Sequence, residues 1–145
     1  MAKVKAVCIS EKKGEQKKPV DSVLLKVDHG IQGDAHAGNW HRQVSLLAAE
    51  SVEKVQKVLD FKLESGAFAE NILTEGIELF TLPVGTKLAM GPAIGEVTQI
   101  GKECHHGCAI RELAGDCVMP REGIFVKILK GGVVKAGAEI AVIED

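Results

Sequence analysis

The chain has 145 residues, 46% of them hydrophobic, with one Trp, four Phe and no Tyr, which predicts one domain spanning 1–145 with a core of Val, Ile, Leu and Ala. Lys and Arg (18) nearly balance Asp and Glu (20) for a net charge of −2, so there is no general electrostatic pull towards nucleic acid or an anionic membrane. The start, MAKVKAVCISEKK, lacks an apolar run of signal-peptide length and no stretch approaches a transmembrane span, so a cytoplasmic protein with reduced thiols is expected.

In chain order, VKAVCIS (4–10) has the β-branched, part-alternating pattern of a first strand. EKKGEQKKP (11–19) is charged, with a Gly and a Pro, and reads as a loop or hairpin tip; DSVLLKVD reads as a second strand. HGIQGDAHAGNWHRQ (29–43) contains three glycines and no sustained periodicity. Long irregular loops inside compact domains tend to be functional. QVSLL is a short strand, followed by the one clear helix, AAESVEKVQKVLD (48–60). Its apolar positions Ala48, Val52, Val55 and Leu59 recur at helical spacing, and Glu50–Lys54 and Glu53–Lys57 suit a solvated outer face.

AENILTEG reads as a strand ending in a Gly turn, and LPVGTKLAMGPAIGEVTQIGKEC as two strands separated by Gly91–Pro92. GIFVKILKGG (123–132) is the most strand-like segment, and AEIAVIE closes the chain. Many short strands, frequent Gly turns and no repeating strand–helix rhythm predict a mainly β fold, a mostly antiparallel barrel with one or two peripheral helices.

The chemistry-bearing residues fall into groups. In GKECHHGC, Cys104 and Cys108 flank His105 and His106, and Cys117 follows. A zinc reading needs four Cys or His ligands, usually in tight pairs, and the two-knuckle spacing is missing here. A reactive-thiol reading needs positive charge near a thiolate; Lys102, His105, His106 and Arg111 lie close to Cys104 in the chain. The alternative is that one or two of Cys104, Cys108 and Cys117 are small buried hydrophobes, as Cys8 in the first strand is expected to be.

The loop GDAHAGNWHRQ offers Asp34, His36, His41, Arg42 and Gln43. Asp34 can orient a histidine and Arg42 can grip a phosphate or carboxylate in two-point fashion, or the loop simply turns at its Asp and glycines. Glu70 and Asn71 sit inside the apolar FAENIL, where strand alternation buries one of them and demands a partner for it. Arg121, in MPREG, either snorkels to solvent or faces the same pocket.

Taken together, GIQGDAHAGNWHRQVSLL, FAENILTEGIEL, LPVGTKL, VTQIGKECHHGCAI and GDCVMPREGIFVKILKGGVVKAG resemble the MOSC domain, the module also found at the C-terminus of molybdenum cofactor sulfurases. The likeness is to the short stand-alone bacterial type and runs from about Gly30 to Gly137. It implies a β-barrel fold, an essential cysteine at Cys104, and a pocket to which His36, Arg42, Glu70, Asn71 and Arg121 would contribute. It also implies the molybdenum cofactor, a molybdenum–pterin group, as ligand or cargo. The chain has no aminotransferase-like domain and no evident lysine for pyridoxal phosphate, so no pyridoxal phosphate is expected. Sulfur would come from a partner cysteine desulfurase.

Three functions follow. A sulfur carrier would hold a persulfide on Cys104 for molybdenum cofactor or metal–sulfur cluster assembly, resolved by Cys108 or Cys117. Its partners would be the desulfurase and cofactor-biosynthetic or acceptor proteins, with no nucleic acid and no membrane. A cofactor-binding module would use Cys104 as a molybdenum ligand and Arg42 and Arg121 for the pterin phosphate, and could support reduction with outside electron donors. A structural zinc domain would do neither.

Overall fold

The computed structural model describes residues 2–12, 16–57, 62–66, 68–101 and 122–143. The elements in order are β1 (Lys3–Ile9), β2 (Lys18–Val20), β3 (Ser22–Lys26), β4 (Gly30–Ile31), β5 (Val44–Ala48), α1 (Ala49–Gln56), β6 (Ile72–Glu75), β7 (Lys87–Met90), β8 (Ala93–Ile100), β9 (Ile124–Lys130), β10 (Gly132–Lys135) and β11 (Ile140–Ile143). The protein is mainly β, with one helix among the described residues. No helix among them is long and apolar enough to cross a membrane.

The strands form an eight-stranded sheet in the order β11-β7-β8-β9-β5-β6-β1-β2 and a three-stranded sheet β10-β3-β4. Gly91 takes φ +57 in the two-residue link between Met90 and Ala93, which pair directly across the β7–β8 hairpin. A left-handed residue is what such a short loop needs for its twist to match the strands. The β5–β6 pair is parallel, and α1 is its crossover; a parallel connection needs a segment of that length to return the chain.

The expected closed antiparallel barrel is not supported. The large sheet is mixed, and no ladder among the described residues joins its ends, β11 and β2. Its curl brings β1 against the turn before β11, but only through the isolated bridge Lys3–Glu139 and single backbone bonds such as Val4 N to Ala138 O, 2.7 Å. The other end is β2, three residues with all side chains exposed and Pro19, which has no N–H to donate, at its centre.

One core is shared by both sheets: Val23, Leu25, Ile31 and Val134 of the small sheet pack with Val44, Leu46, Val97 and Val126 of the large one. β5 is buried along its whole length. Leu46 points into that core, while Leu47 joins Ala49, Val55, Phe68, Leu73 and Phe125 beneath α1. Burying a leucine in this way stabilises by about 1.5–3 kcal/mol. The helix covers the second face of the sheet rather than lying free on its surface. Glu50 and Lys54 do not serve each other as expected: Glu50 Oε2 accepts from Gly76 N at 2.9 Å, and Lys54 Nζ reaches Glu122 Oε1 at 2.8 Å.

Candidate functional site

Among the described residues, two groups of polar side chains are joined by the 34–42 loop. The first surrounds Lys17, a residue of the charged EQKKP run whose side chain is fully buried. Its ammonium donates to Asp34 Oδ1 at 2.8 Å and Ser10 Oγ at 3.0 Å, and lies 3.0 Å from His36 Nδ1. An ammonium has no lone pair, so His36 accepts through Nδ1, and in the neutral ring the hydrogen sits on Nε2. Asp34 Oδ1 also accepts from Ser10 N at 3.1 Å, and Oδ2 from His36 N at 3.0 Å. Burial pushes the Asp34 carboxyl up, but the Lys17 bond and charge and the two backbone N–H groups outweigh it and hold it below its ordinary value. Asp34 orients a histidine as the sequence suggested, but through the histidine's backbone N–H and Lys17.

Glu70 and Asn71 adjoin this group, and both are buried. Glu70 Oε2 accepts from Gly66 N at 2.7 Å and Oε1 from Phe68 N at 3.1 Å, fixing a loop in which Ala69 takes φ +63. Burial holds its carboxyl above the ordinary value, only partly offset by those N–H groups and by the charge of Lys17. Asn71, just before β6, ties β5 to β1: Oδ1 accepts from Ser45 N at 3.0 Å, and Nδ2 donates to Cys8 O at 3.1 Å. Both side chains therefore spend their polar atoms on backbone. A cleft of about 640 Å³ between α1 and the 62–65 loop has Glu70, Lys5, Val52 and Leu73 in its walls. Cys8 is buried, and burial first, then the Glu70 charge, push its thiol up to about 12. It is an inert core residue, as expected.

The second group is a rim where β8 ends. Arg42 Nε donates to Gln99 Oε1 at 3.1 Å, and His41 Nε2 lies 2.9 Å from the same oxygen. Gln99 Nε2 donates to Gly101 O at 2.7 Å, and Gly101 N to Gly123 O at 2.6 Å. The Arg42 guanidinium stands over the Phe125 ring, 5.4 Å from its centroid, a cation–π arrangement. Thr98 Oγ1 holds the loop, its one hydroxyl hydrogen shared between His41 O and Phe125 O. Trp40 links the two groups: its Nε1 donates to His36 O at 2.7 Å, and its ring meets that of His41 edge to face at 5.9 Å.

Of the residues singled out from sequence, His36, Glu70 and Asn71 gather near Lys17, and Arg42 sits at the rim. Cys104, Cys108, Cys117 and Arg121 lie outside the described residues. Among the described residues no group of three or more His, Cys, Asp or Glu could hold a metal ion, so a zinc or molybdenum site would draw on residues beyond them. Gln43 is scaffold, with its Oε1 accepting from Ile128 N at 2.9 Å. Sequence reasoning missed Lys17 and Gln99. The first is hidden in a solvated-looking charge run. The second is re-aimed by a β-bulge, for the β8–β9 register passes from Val97–Val126 to Gln99–Phe125 across Thr98.

No curated protein matches the chain. Among solved structures it is similar to the YuaD protein from Bacillus subtilis, with 19% identity, a TM-score of 0.78, and coverage of 96% of this chain and 93% of that one. It is also similar to YiiM from Geobacillus stearothermophilus, with 16% identity, a TM-score of 0.73, and 99% and 76% of the two chains covered. YiiM from Escherichia coli gives 18% identity and a TM-score of 0.68, with 100% of this chain and 71% of that one covered. These likenesses show a common fold. Residues 33–141, most of the chain, match the model of the MOSC domain, and the chain belongs to that family.

Proposed function

We propose that the protein carries sulfur as a persulfide on Cys104 and hands it on for molybdenum cofactor or metal–sulfur cluster assembly. The observation that carries this reading is the tether at the rim. Gly101, hydrogen-bonded to Gly123, is tied through Gln99 to Arg42 and His41. Cys104 follows Gly101 by three residues, so covalent geometry alone keeps their Cα atoms within about 11 Å. Arginine is charged at every physiological pH; brought to Cys104, such a cation would favour the thiolate that the chemistry needs. Cys8 offers no alternative, since a thiol pushed up to about 12 is protonated at neutral pH.

The chemistry is thiol exchange. The Cys104 thiolate attacks the terminal sulfur of a persulfide on the partner desulfurase. The donor's S–S bond breaks, its thiolate leaves, and Cys104 becomes the persulfide. Transfer to an acceptor thiolate repeats the exchange with Cys104 as the leaving group. Alternatively Cys108 or Cys117 attacks the inner sulfur, forming a disulfide and expelling hydrosulfide. Neither route consumes an outside oxidant.

A second reading, binding of the molybdenum cofactor, is favoured by Arg42. With Nε on Gln99, its two Nη groups have no partner among the described residues, and such a fork suits a pterin phosphate. The donor set thus fits the anionic end of the group, with Cys104 as a soft donor for the metal. When bound, the cofactor would supply two-electron chemistry at molybdenum; the chain would supply the anion grip and the thiolate.

The test is to incubate reduced protein with a cysteine desulfurase and cysteine and measure its intact mass. A gain of one sulfur, removable by reductant and absent from Cys104→Ala, is expected. A folded protein that gains no sulfur refutes the carrier, and co-purifying molybdenum and pterin would then favour the second reading.

A further inference from the structure

The bonds around Gln99 admit one consistent assignment. Arg42 Nε can only donate, so the Gln99 atom 3.1 Å away is the carbonyl oxygen, and the amide nitrogen is the atom 2.7 Å from Gly101 O. The same oxygen lies 2.9 Å from His41 Nε2, which therefore carries a hydrogen. One side-chain amide thus holds the arginine, the neighbouring histidine and the end of β8 together. The bulge at Thr98 turns it that way, and Thr98 secures the bulge by donating to Phe125 O at 3.1 Å.

The consequence falls on Arg42. Its side-on edge is occupied by Gln99 and one face of its plane by Phe125. What remains is the end-on pair of Nη groups, which have no partner among the described residues. We infer that Gln99 is a positioning residue that fixes this end-on fork for a phosphate- or carboxylate-type oxyanion. The inference rests on the reading of Arg42 as the anion grip given above. An arginine held before the anion arrives spares binding the rotamer entropy of a long side chain. Two parallel charge-assisted bonds also require the guanidinium plane to be set, not merely near.

The experiment titrates inorganic phosphate into the full, isotopically labelled chain and follows the Arg42 Nε–H signal and the backbone amides by NMR. Wild type is expected to bind, and Arg42→Lys to bind more weakly. Gln99→Ala should raise the phosphate Kd on the order of tenfold, the scale of one oriented bond to a charged group. Gln99→Glu should raise it further, because its carboxylate would itself pair with Arg42. Thermal unfolding of both variants should stay close to wild type. Should Gln99→Ala fail to fold, Gln99→Met, with a side chain of similar length, carries the same test. A purely structural residue would lower the unfolding temperature and leave phosphate affinity alone.

Affinities within twofold of wild type in both Gln99 variants would overturn the inference. So would the absence of phosphate binding in wild type, or binding indifferent to Arg42→Lys. Sulfur loading, measured on the same samples, separates the two claims. A chain that gains sulfur without binding phosphate sinks the positioning role and spares the carrier. One that binds phosphate through Arg42 but gains no sulfur does the reverse.

Discussion

The Lys17–Asp34 pair gives the sharpest quantitative expectation. Both side chains are fully buried, 2.8 Å apart. Asp34→Asn would leave the Lys17 ammonium with Ser10 and His36 but no counter-charge, and would turn an amide N–H₂ towards one of two backbone donors. Breaking a buried pair from one side costs about 3–5 kcal/mol. Lys17→Met leaves the carboxylate with its two backbone N–H bonds and should cost about 3 kcal/mol. The double variant removes both charges of the pair, so its loss should fall short of the sum of the singles by about 2–3 kcal/mol, within the range of coupling found for contacting groups. Urea unfolding midpoints at pH 7 measure all four corners of the cycle. The sign of the pH dependence is also set. Asp34 titrates below its unfolded value of 3.8, so its contribution is full above that pH. It is lost as the pH falls through the folded value, where the native carboxylate finally protonates. Single variants within 1 kcal/mol of wild type, or strict additivity, would refute this account.

Three further outcomes are expected. Cys8 ionises at 9.0 when unfolded but at about 12 in the fold, so stability should fall as pH rises above 9, by on the order of 1.4 kcal/mol per pH unit. Cys8→Ala should remove that slope in alkaline unfolding curves. Glu70, held above its ordinary 4.5, contributes most below that pH and loses the contribution as pH rises through its folded value; Glu70→Gln should flatten this part of the profile, and an unchanged slope would count against the assignment. Gly66 and Gly85 both take positive φ, +90 and +99, but a Cβ on Gly66 would stand 2.1 Å from Lys17 O, whereas nothing lies within 4 Å at Gly85. Gly85→Ala should therefore cost about 1–2 kcal/mol of left-handed strain, and Gly66→Ala clearly more; equal unfolding midpoints would contradict the difference.

The elements that local pattern determines were readable. The Gly91–Pro92 hairpin, the strand 124–130 and the helix after QVSLL all come from residues adjacent in sequence. What depends on distant pairing was not. β10, only four residues between glycine turns, acquires its strand character from β3 more than a hundred positions earlier, where Val133 faces Leu24. The parallel β5–β6 pair had a signal, a strand on each side of one helix, but a single crossover makes no rhythm along the chain. Closure of the sheet depends on its edges, and no local pattern reports that β1 meets the last turn through one bridge instead of a ladder.

The site divides along the same line. His36 and Arg42 were visible as polar groups in a Gly-rich loop, because a loop spends few side chains on packing. Glu70 and Asn71 were visible as polar intruders in an apolar run, but sequence could not tell a ligand-facing group from one satisfied by backbone. The structure gives all four of their side-chain oxygen and nitrogen atoms backbone partners. The two polar groups consequently do different work. Around Lys17 the charges are matched and buried, which anchors the start of the 34–42 loop in the scaffold. At its other end Arg42 keeps a fork without a partner among the described residues. A loop fixed by a buried ion pair at Asp34, braced by Trp40 on His36, and clamped by Gln99 at Arg42 would have little freedom left to lose on binding the proposed anion. That is the condition under which one guanidinium on a small, nearly neutral domain can be selective.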